Sequence, residues 1–335
     1  MNLYTTLKTL CLVPSISGRE NGIRAKLTEL ITPLVDEIKV DNMGNLIALK
    51  RGKIRGGKKF MLCAHMDEIG FLVTFIEENG MLRVANVGGI NFVANAFGKV
   101  VSESGVVGVL APDSKVKAAD FAPDKFYIDI GAKNRREAER RVSIGDFFVA
   151  EPNLTKLCGT RVLGRPLDDR VGCAVLLDIA ERLSGEEIED DVYFVFSVQE
   201  EVGCRGAMPA TFGIAPDYSL CFDVTGTGDT PAASPMACEV GGGAAVKIKD
   251  SSVICNEEVV NALCDIAKAN KIKFQREILL YGGTDTSAMQ LIGGGSKAGA
   301  LSIPTRYIHS ASELCDLADA EACAALAVAF IKELK

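Results

Sequence analysis

Apolar positions recur at two different periods along this chain, and the changes of period divide it into three stretches. In the first, Leu3, Leu7 and Leu10, then Ile23, Leu27, Leu30 and Leu34, stand three or four residues apart, which puts each set on one face of a helix. Pro14 and Gly18 separate the two predicted helices, since both residues break helical continuity. Ile38 to Leu49 predicts a hairpin turning at Asn42-Met43-Gly44-Asn45. Phe60-Met61-Leu62-Cys63-Ala64 is a short unbroken apolar run, the pattern of a strand covered on both faces. His65 follows it directly.

From about residue 69 to 158 the texture changes. Ile69–Ile76, Met81–Val84, Lys99–Val101, Val106–Leu110, Phe126–Ile130 and Phe147–Val149 are short, β-rich and split by Gly or Asp, which predicts a small β-barrel or sandwich. The helical candidate here is Asn134–Arg141, whose interleaved basic and acidic residues read as a solvated face. Afterwards strands and helices alternate. Asp168 opens a helix through Val171, Ala174, Val175, Leu176, Ile179 and Leu183, and Val192–Val198 and Tyr218–Phe222 read as buried strands. Glu257–Ala269 reads as a helix, Ala298–Ile303 as a strand and Asp319–Leu334 as a closing helix. The predicted fold class is α/β: a mainly parallel sheet flanked by helices, with a small β-barrel inserted. Residues 1–68 and 159–335 form the discontinuous α/β domain, and 69–158 the insert.

Composition narrows the function classes. The chain has 335 residues, 48% of them hydrophobic and 24% charged, with a net charge of −7. That balance suits a globular protein and offers no basic stripe for nucleic acid. No apolar run approaches the roughly 20 residues of a membrane span, and the first residues lack a secretory profile. A cytoplasmic address is therefore expected. The eleven cysteines are odd in number, contain no Cys-x-x-Cys pair and fall mostly in apolar runs. They read as buried thiols, not as a disulfide framework or a cysteine-rich zinc site. Gly241-Gly242-Gly243 and Gly293-Gly294-Gly295 lack the Lys-Ser/Thr that a phosphate loop needs and read as loops near the mouth of a site.

The chemistry is carried by scarce residues. The chain's two histidines are His65, in Ala64-His65-Met66-Asp67, and His309, in Tyr307-Ile308-His309-Ser310. His-x-Asp offers an imidazole ligand with a carboxylate close by to orient it. Ligands collect at the carboxyl ends of parallel strands. There the predicted strands deliver His65, the pair Glu200-Glu201, Asp223 and, a few residues beyond the last strand, His309; Asp168 and Asp169 stand at the start of a helix. Asp168 alone could be a helix cap and Glu200-Glu201 a solvated turn. Together they match the demand of two divalent ions about 3.5–4 Å apart: one shared carboxylate, further ligands for each ion, and one acid left over as general base.

The segments AHMDEIGF, LDDRVG, QEEVG-RGA, FDVT, GGTD and IPTRYIHS, in that order, resemble the dinuclear-metal aminopeptidases that form tetrahedral particles, a family of glutamyl, leucyl and deblocking enzymes with some members labelled endoglucanase. The early Ser17-Gly18-Arg19-Glu20 and the inserted β domain extend the likeness. The resemblance implies that His65 and Asp223 hold one ion and Glu201 and His309 the other, with Asp168 bridging. It implies Glu200 as general base and later acid, Asp67 as the residue orienting His65, and Gly283, Thr284 and Asp285 at the substrate. Zinc or cobalt, or manganese, would be the ions; the substrate would be a peptide with a free N-terminus. The barrel would help assemble dimers into a dodecamer, with no nucleic-acid or membrane partner. The chain departs from the family's pattern at Arg165-Pro166, at Cys204 and after His309, where Ser310-Ala311-Ser312-Glu313 has no proline.

The expected activity is a metal-dependent aminopeptidase. Three alternatives stay open beside it. One is an N-acyl-peptide deacylase using the same ions. Another is a glucanase, against which the absence of Trp and the count of six Tyr weigh. The last is a non-catalytic scaffold, against which the intact set of ligands and Glu200 weighs.

Overall fold

The computed structural model describes residues 2–334, and at its centre three strands lie side by side in parallel. Lys59–His65 is flanked by Asp191–Ser197 and by Tyr218–Thr225, and Lys297–Arg306 continues the parallel set beyond Tyr218–Thr225. Every residue of Tyr218–Thr225 is buried, as is all of Lys59–His65 after its first residue. Burial on both faces is why these segments appear as unbroken apolar runs. Alternation still assigns the faces. Phe60, Leu62 and Ala64 point into a large core shared with the helices Leu3–Cys11, Arg170–Ser184, Glu257–Ala269 and Leu317–Glu333. Met61 and Cys63 point the other way, under the short helices Ala207–Ile214 and Thr286–Leu291.

Outside that centre the eleven-stranded sheet is mixed. The hairpin Glu37–Val40 and Leu46–Lys50 adds antiparallel to Asp191–Ser197. On the far side Glu313–Asp316, Arg161–Arg165 and Asn153–Lys156 are all antiparallel. Ala244–Lys249 pairs antiparallel with Lys297–Arg306 and parallel with Phe274–Ile278. A closed antiparallel barrel of six strands occupies Gly70 to Ala150, filled by Phe71, Leu82, Leu110, Phe126, Ile128 and Phe148. Its last strand ends at Ala150, and Asn153–Lys156 already pairs in the main sheet.

Some local expectations shift. The helix expected to open at Asp168 runs Arg170–Ser184, and Asp169 is its cap: Gly172 N donates to Asp169 Oδ1 at 3.0 Å. This frees the Asp168 carboxylate for other work. Only Arg135–Ala138 of the charged stretch is helical, capped by Asn134. The closing helix begins at Leu317, two residues earlier than expected. The eleven cysteines are all free thiols. Among the described residues no helix is long and apolar enough to cross a membrane.

Candidate metal centre

Four strand ends and one helix start converge where the sheet opens. Lys59–His65 ends in His65, the turn after Asp191–Ser197 carries Glu200 and Glu201, and Tyr218–Thr225 carries Asp223. His309, with φ of 61°, lies on the loop between Lys297–Arg306 and Glu313–Asp316. Asp168 stands before the helix Arg170–Ser184 and divides its carboxylate between the two histidines. Its Oδ1 is 3.0 Å from His65 Nε2 and its Oδ2 is 3.2 Å from His309 Nε2. His65 Nε2 is also 3.9 Å from Asp223 Oδ1 and from Glu200 Oε2, and His309 Nε2 is 3.2 Å from Glu201 Oε1. Two triads result, His65–Asp168–Asp223 and Asp168–Glu201–His309, each with ligand atoms within 4.8 Å of one another. The six residues expected as ligands and base thus stand together, with Asp168 common to both triads.

The electrostatics of this cluster call for cations. His65 Nδ1 is 3.1 Å from the Asp67 carbonyl, so that nitrogen carries the proton and Nε2 presents a lone pair to Asp168. A lone pair against a carboxylate at 3.0 Å repels unless a positive charge intervenes, either a proton or a metal ion. Burial opposes charge on His65, yet Asp168, Asp67, Asp223 and Glu200 drive its pKa well above the ordinary value. Burial likewise opposes charge on His309, but Asp168 and Glu201 raise it to about 11. Burial, followed by the neighbouring acids, pushes Glu200, Asp223 and Glu201 upward. Asp168 goes the other way: burial would raise it, but hydrogen bonds from His309 and His65 hold it below the usual carboxylate range. Glu201 Oε1 is buried and meets His309 Nε2 at 3.2 Å without good hydrogen-bond alignment. Imidazole and carboxylate donors in excess negative charge, buried together, fit divalent ions.

The whole-chain likeness agrees. The signature of the M42 glutamyl aminopeptidase family matches residues 44–326. The chain belongs to that family. It is 45% identical over 95% of both chains to an Acetivibrio thermocellus protein named provisionally as an aminopeptidase. It is similar to the aminopeptidase APDkam598 of Desulfurococcus kamchatkensis, at 35% identity and a TM-score of 0.94, over 99% of this chain and 94% of that one. It also resembles the TET1 peptidase of Pyrococcus horikoshii, described as assembling into a tetrahedron or an octahedral shell, at 34% identity and a TM-score of 0.90, over 99% and 100% of the two chains. The chain is an enzyme of the aminopeptidase class.

Around the two triads lies a supporting set, part of it absent from the motifs. The Asp67 carboxylate is 3.6 Å from His65 Nδ1, too long for a hydrogen bond; the backbone carbonyl of Asp67 orients the ring instead. Its carboxylate accepts from Glu200 N at 3.1 Å, Glu201 N at 3.3 Å and Ser17 Oγ at 2.6 Å, so it positions the glutamate turn. Glu20 adds an acceptor for Gln199 N, which places the Ser17–Glu20 segment against the site. Glu313 was not foreseen. Its Oε2 accepts from Leu167 N at 2.6 Å and Asp168 N at 3.2 Å, and its Oε1 from His309 N at 3.0 Å. The departing residue Arg165 sits beside it, 3.5 Å from Oε1 and donating to Ser310 O at 2.6 Å.

The barrel also reaches the site. Asn95 Nδ2 donates to His309 O at 3.0 Å. Gly88 and Gly89 press on the second triad: a Cβ on Gly88 would lie 3.2 Å from Glu201 Cβ, and one on Gly89 would lie 3.3 Å from His309 Nδ1. The Gly-Gly pair in the sequence was the available signal, but nothing local tied it to the ligands.

The triads floor a cleft of about 570 Å³. Its other walls include Val224, Leu279, Tyr281, Ser252 and Cys204, and among its lining residues the charged ones are His65, Asp168, Glu200, Glu201, Asp223 and His309. Of the residues expected at the substrate, Gly283 lines the cleft with Gly282. Thr284 and Asp285 are 2% and 1% exposed and lie behind it. Thr284 bonds Thr286 and Asp250, and Asp285 accepts from Ser197. Neither glycine triplet lines the cleft; Gly241 N and Gly243 N donate to Asp319 instead, each at 2.7 Å.

Proposed function

We propose that this M42 enzyme removes the N-terminal residue from peptides with a free α-amine, using two divalent ions and Glu200 as general base. The observation that supports this reading most is the split of Asp168, one oxygen to each histidine, with Glu200 beside the first. His65 and Asp223 would hold one ion, Glu201 and His309 the other, and Asp168 both. Divalent ions there supply Lewis acidity toward a peptide carbonyl and toward water.

The protein's own residues do the proton work. Glu200 accepts a proton from the attacking water and later returns it to the leaving amine. Burial, joined by the charges of Asp223 and Asp285, raises its carboxyl, which makes it a stronger proton acceptor than an ordinary carboxylate. Asp67 fixes the backbone on which Glu200 and Glu201 stand. Gly282 and Gly283 leave part of the cleft wall bare of side chains. Imidazole and carboxylate ligands accept zinc, cobalt and manganese alike.

A free α-amine is a better ligand for such a site than an acylated nitrogen, which separates this reading from a deacylase. We further propose homo-oligomeric assembly, up to a dodecamer, through surfaces that include the barrel, where Val93 and Phe97 are 62% and 71% exposed. The free thiols favour a reducing, cytoplasmic setting. The test is the rate on aminoacyl-p-nitroanilides by metal-stripped protein reconstituted with each ion. Glu200→Gln should lose about 10²–10⁴-fold in turnover while its metal content stays at the wild-type value. Full activity in that variant, or turnover that survives removal of the ions, sinks the proposal; scattering that finds only a monomer sinks the assembly.

A further inference from the structure

A second group of donors lies on the side of Glu200 away from the shared aspartate. Glu200, Cys204 and Asp285 bring two carboxylate oxygens and a thiol sulfur within 4.8 Å of one another. Cys204 N donates to Glu200 O at 2.9 Å, a single turn that sets both side chains on one side. Cys204 Sγ then donates to Glu200 Oε1 at 3.3 Å. Asp285 closes the group from below. Its Oδ2 accepts from Ser197 Oγ at 2.5 Å and from Cys63 Sγ at 3.5 Å. Its Oδ1 is buried without any hydrogen-bond partner, in a residue 1% exposed. Among the described residues no lysine or arginine pairs with any of the three.

A buried carboxylate oxygen with no donor, beside a second carboxylate and a thiol, is a donor set short of a cation. The sulfur decides which cation. Thiolate favours soft or borderline ions such as cadmium and zinc, whereas magnesium, calcium and manganese prefer oxygen alone. Access is open, because Glu200 and Cys204 both line the cleft. We propose that Glu200, Cys204 and Asp285 form a third cation site, distinct from the two triads, that takes a thiophilic divalent ion and stops turnover by occupying Glu200. On binding, the Cys204 thiol releases its proton to solvent and its sulfur forms the bond to the ion; no oxidant or reductant is needed. The existence of the site stands on geometry alone. Its inhibitory effect rests on Glu200 being the general base.

Two readouts keep these apart. Enzyme loaded with two equivalents of zinc is titrated with cadmium, following the ultraviolet charge-transfer band of a cadmium–thiolate bond and the peptidase rate in parallel. Neither triad contains sulfur, so the band reports a cysteine and not exchange at the pair, and its loss in Cys204 variants assigns it. One cadmium per chain should raise the band and extinguish activity together. Cys204→Ala and Cys204→Ser, each measured against its own zinc-supported rate, should lose the band and need at least tenfold more cadmium for half-inhibition. Cys158→Ser, which removes the exposed cysteine, should behave as wild type. Asp285→Asn should weaken cadmium binding measured by the band. An unchanged band in the Cys204 variants overturns the site. A full band with undiminished turnover overturns the inhibition and, with it, the assignment of Glu200.

Discussion

Replacing Gly88 by alanine tests whether the barrel holds the metal centre or merely sits next to it. Gly88 has φ of 76°, a conformation in which a Cβ is strained, and that Cβ would lie 2.5 Å from Ile69 Cγ2, 3.2 Å from Glu201 Cβ and 3.3 Å from Glu201 Oε2. The left-handed backbone costs an L-residue about 1–2 kcal/mol. Forcing a methyl against packed neighbours adds about 1–3 kcal/mol. The sum is a destabilisation of about 2–5 kcal/mol, and the only way to reduce it is to move Ile69 or Glu201. Moving Glu201 misplaces a ligand of the second triad, and disturbing a ligand's support typically weakens an ion about 10–100-fold. Gly105→Ala is the matched control: its φ is 83°, in the same barrel, with nothing within 4 Å of the added Cβ. It should cost only the backbone strain and leave ion affinity alone. Denaturant unfolding gives the stability, and competition with a chelator gives the affinity of the weaker ion. Equal ion affinity in Gly88→Ala and Gly105→Ala would refute the coupling, whatever happened to stability.

Other consequences follow from the same geometry. Glu313→Gln keeps one acceptor oxygen where Glu313 uses two, so either Asp168 N or His309 N loses its partner; ion affinity should fall at least about tenfold, read by the same chelator competition, and unchanged affinity would count against its positioning role. Because the charged lining residues of the cleft are the triads and Glu200, a substrate panel should favour uncharged first residues such as Leu, Met and Ala over Asp, Glu, Lys and Arg; a strong preference for a charged residue would contradict this. Burial, against the Gly241 and Gly243 N–H groups, raises Asp319 from 3.8 to about 6. Its folded form therefore holds the proton more tightly than the unfolded chain, and its contribution is complete below the unfolded value and lost as pH rises to about 6. Melting curves of Asp319→Asn against wild type should shift in favour of the variant across that window; a constant difference would refute the assignment.

What the sequence made legible follows from how each element is buried. The central strands announce themselves because both faces are covered, and the ligands because they end those strands. Ala207–Ile214 was invisible: Met208 and Phe212 are 42% and 75% exposed, so its apolar residues show no single-faced period, and Pro209 and Gly213 read as breakers. Ala244–Lys249 was hidden by Lys247, which reads as solvent-facing but is fully buried and paired with Glu277. Asp285 read as a loop acid facing substrate, yet its partners Ser197 and Cys63 lie on strands far away in sequence. Glu313 is four residues from His309, whose N–H it holds, but its other partners at Leu167 and Asp168 are 146 and 145 residues distant. Triad residues that follow buried strands are written locally; the long-range partners around them are written in tertiary structure.

That distinction bears on why a barrel is inserted at this point of the chain. Lys59–His65 delivers the first histidine, and five residues later Gly70 begins the first barrel strand, so the insertion departs from the metal centre itself. The barrel then returns to it twice, through the Gly88-Gly89 turn against Glu201 and His309 and through Asn95 on the His309 carbonyl. Arg165, on the second strand after the barrel, completes the circuit by donating to Ser310 O and lying 3.4 Å from Ile69 O. His65 and Asp223 stand on main-sheet strands, whereas Glu201 and His309 stand on connections that also meet the barrel. If the triads hold ions as proposed, they should therefore differ in sensitivity: perturbing the barrel should loosen an ion at Glu201 and His309 before one at His65 and Asp223.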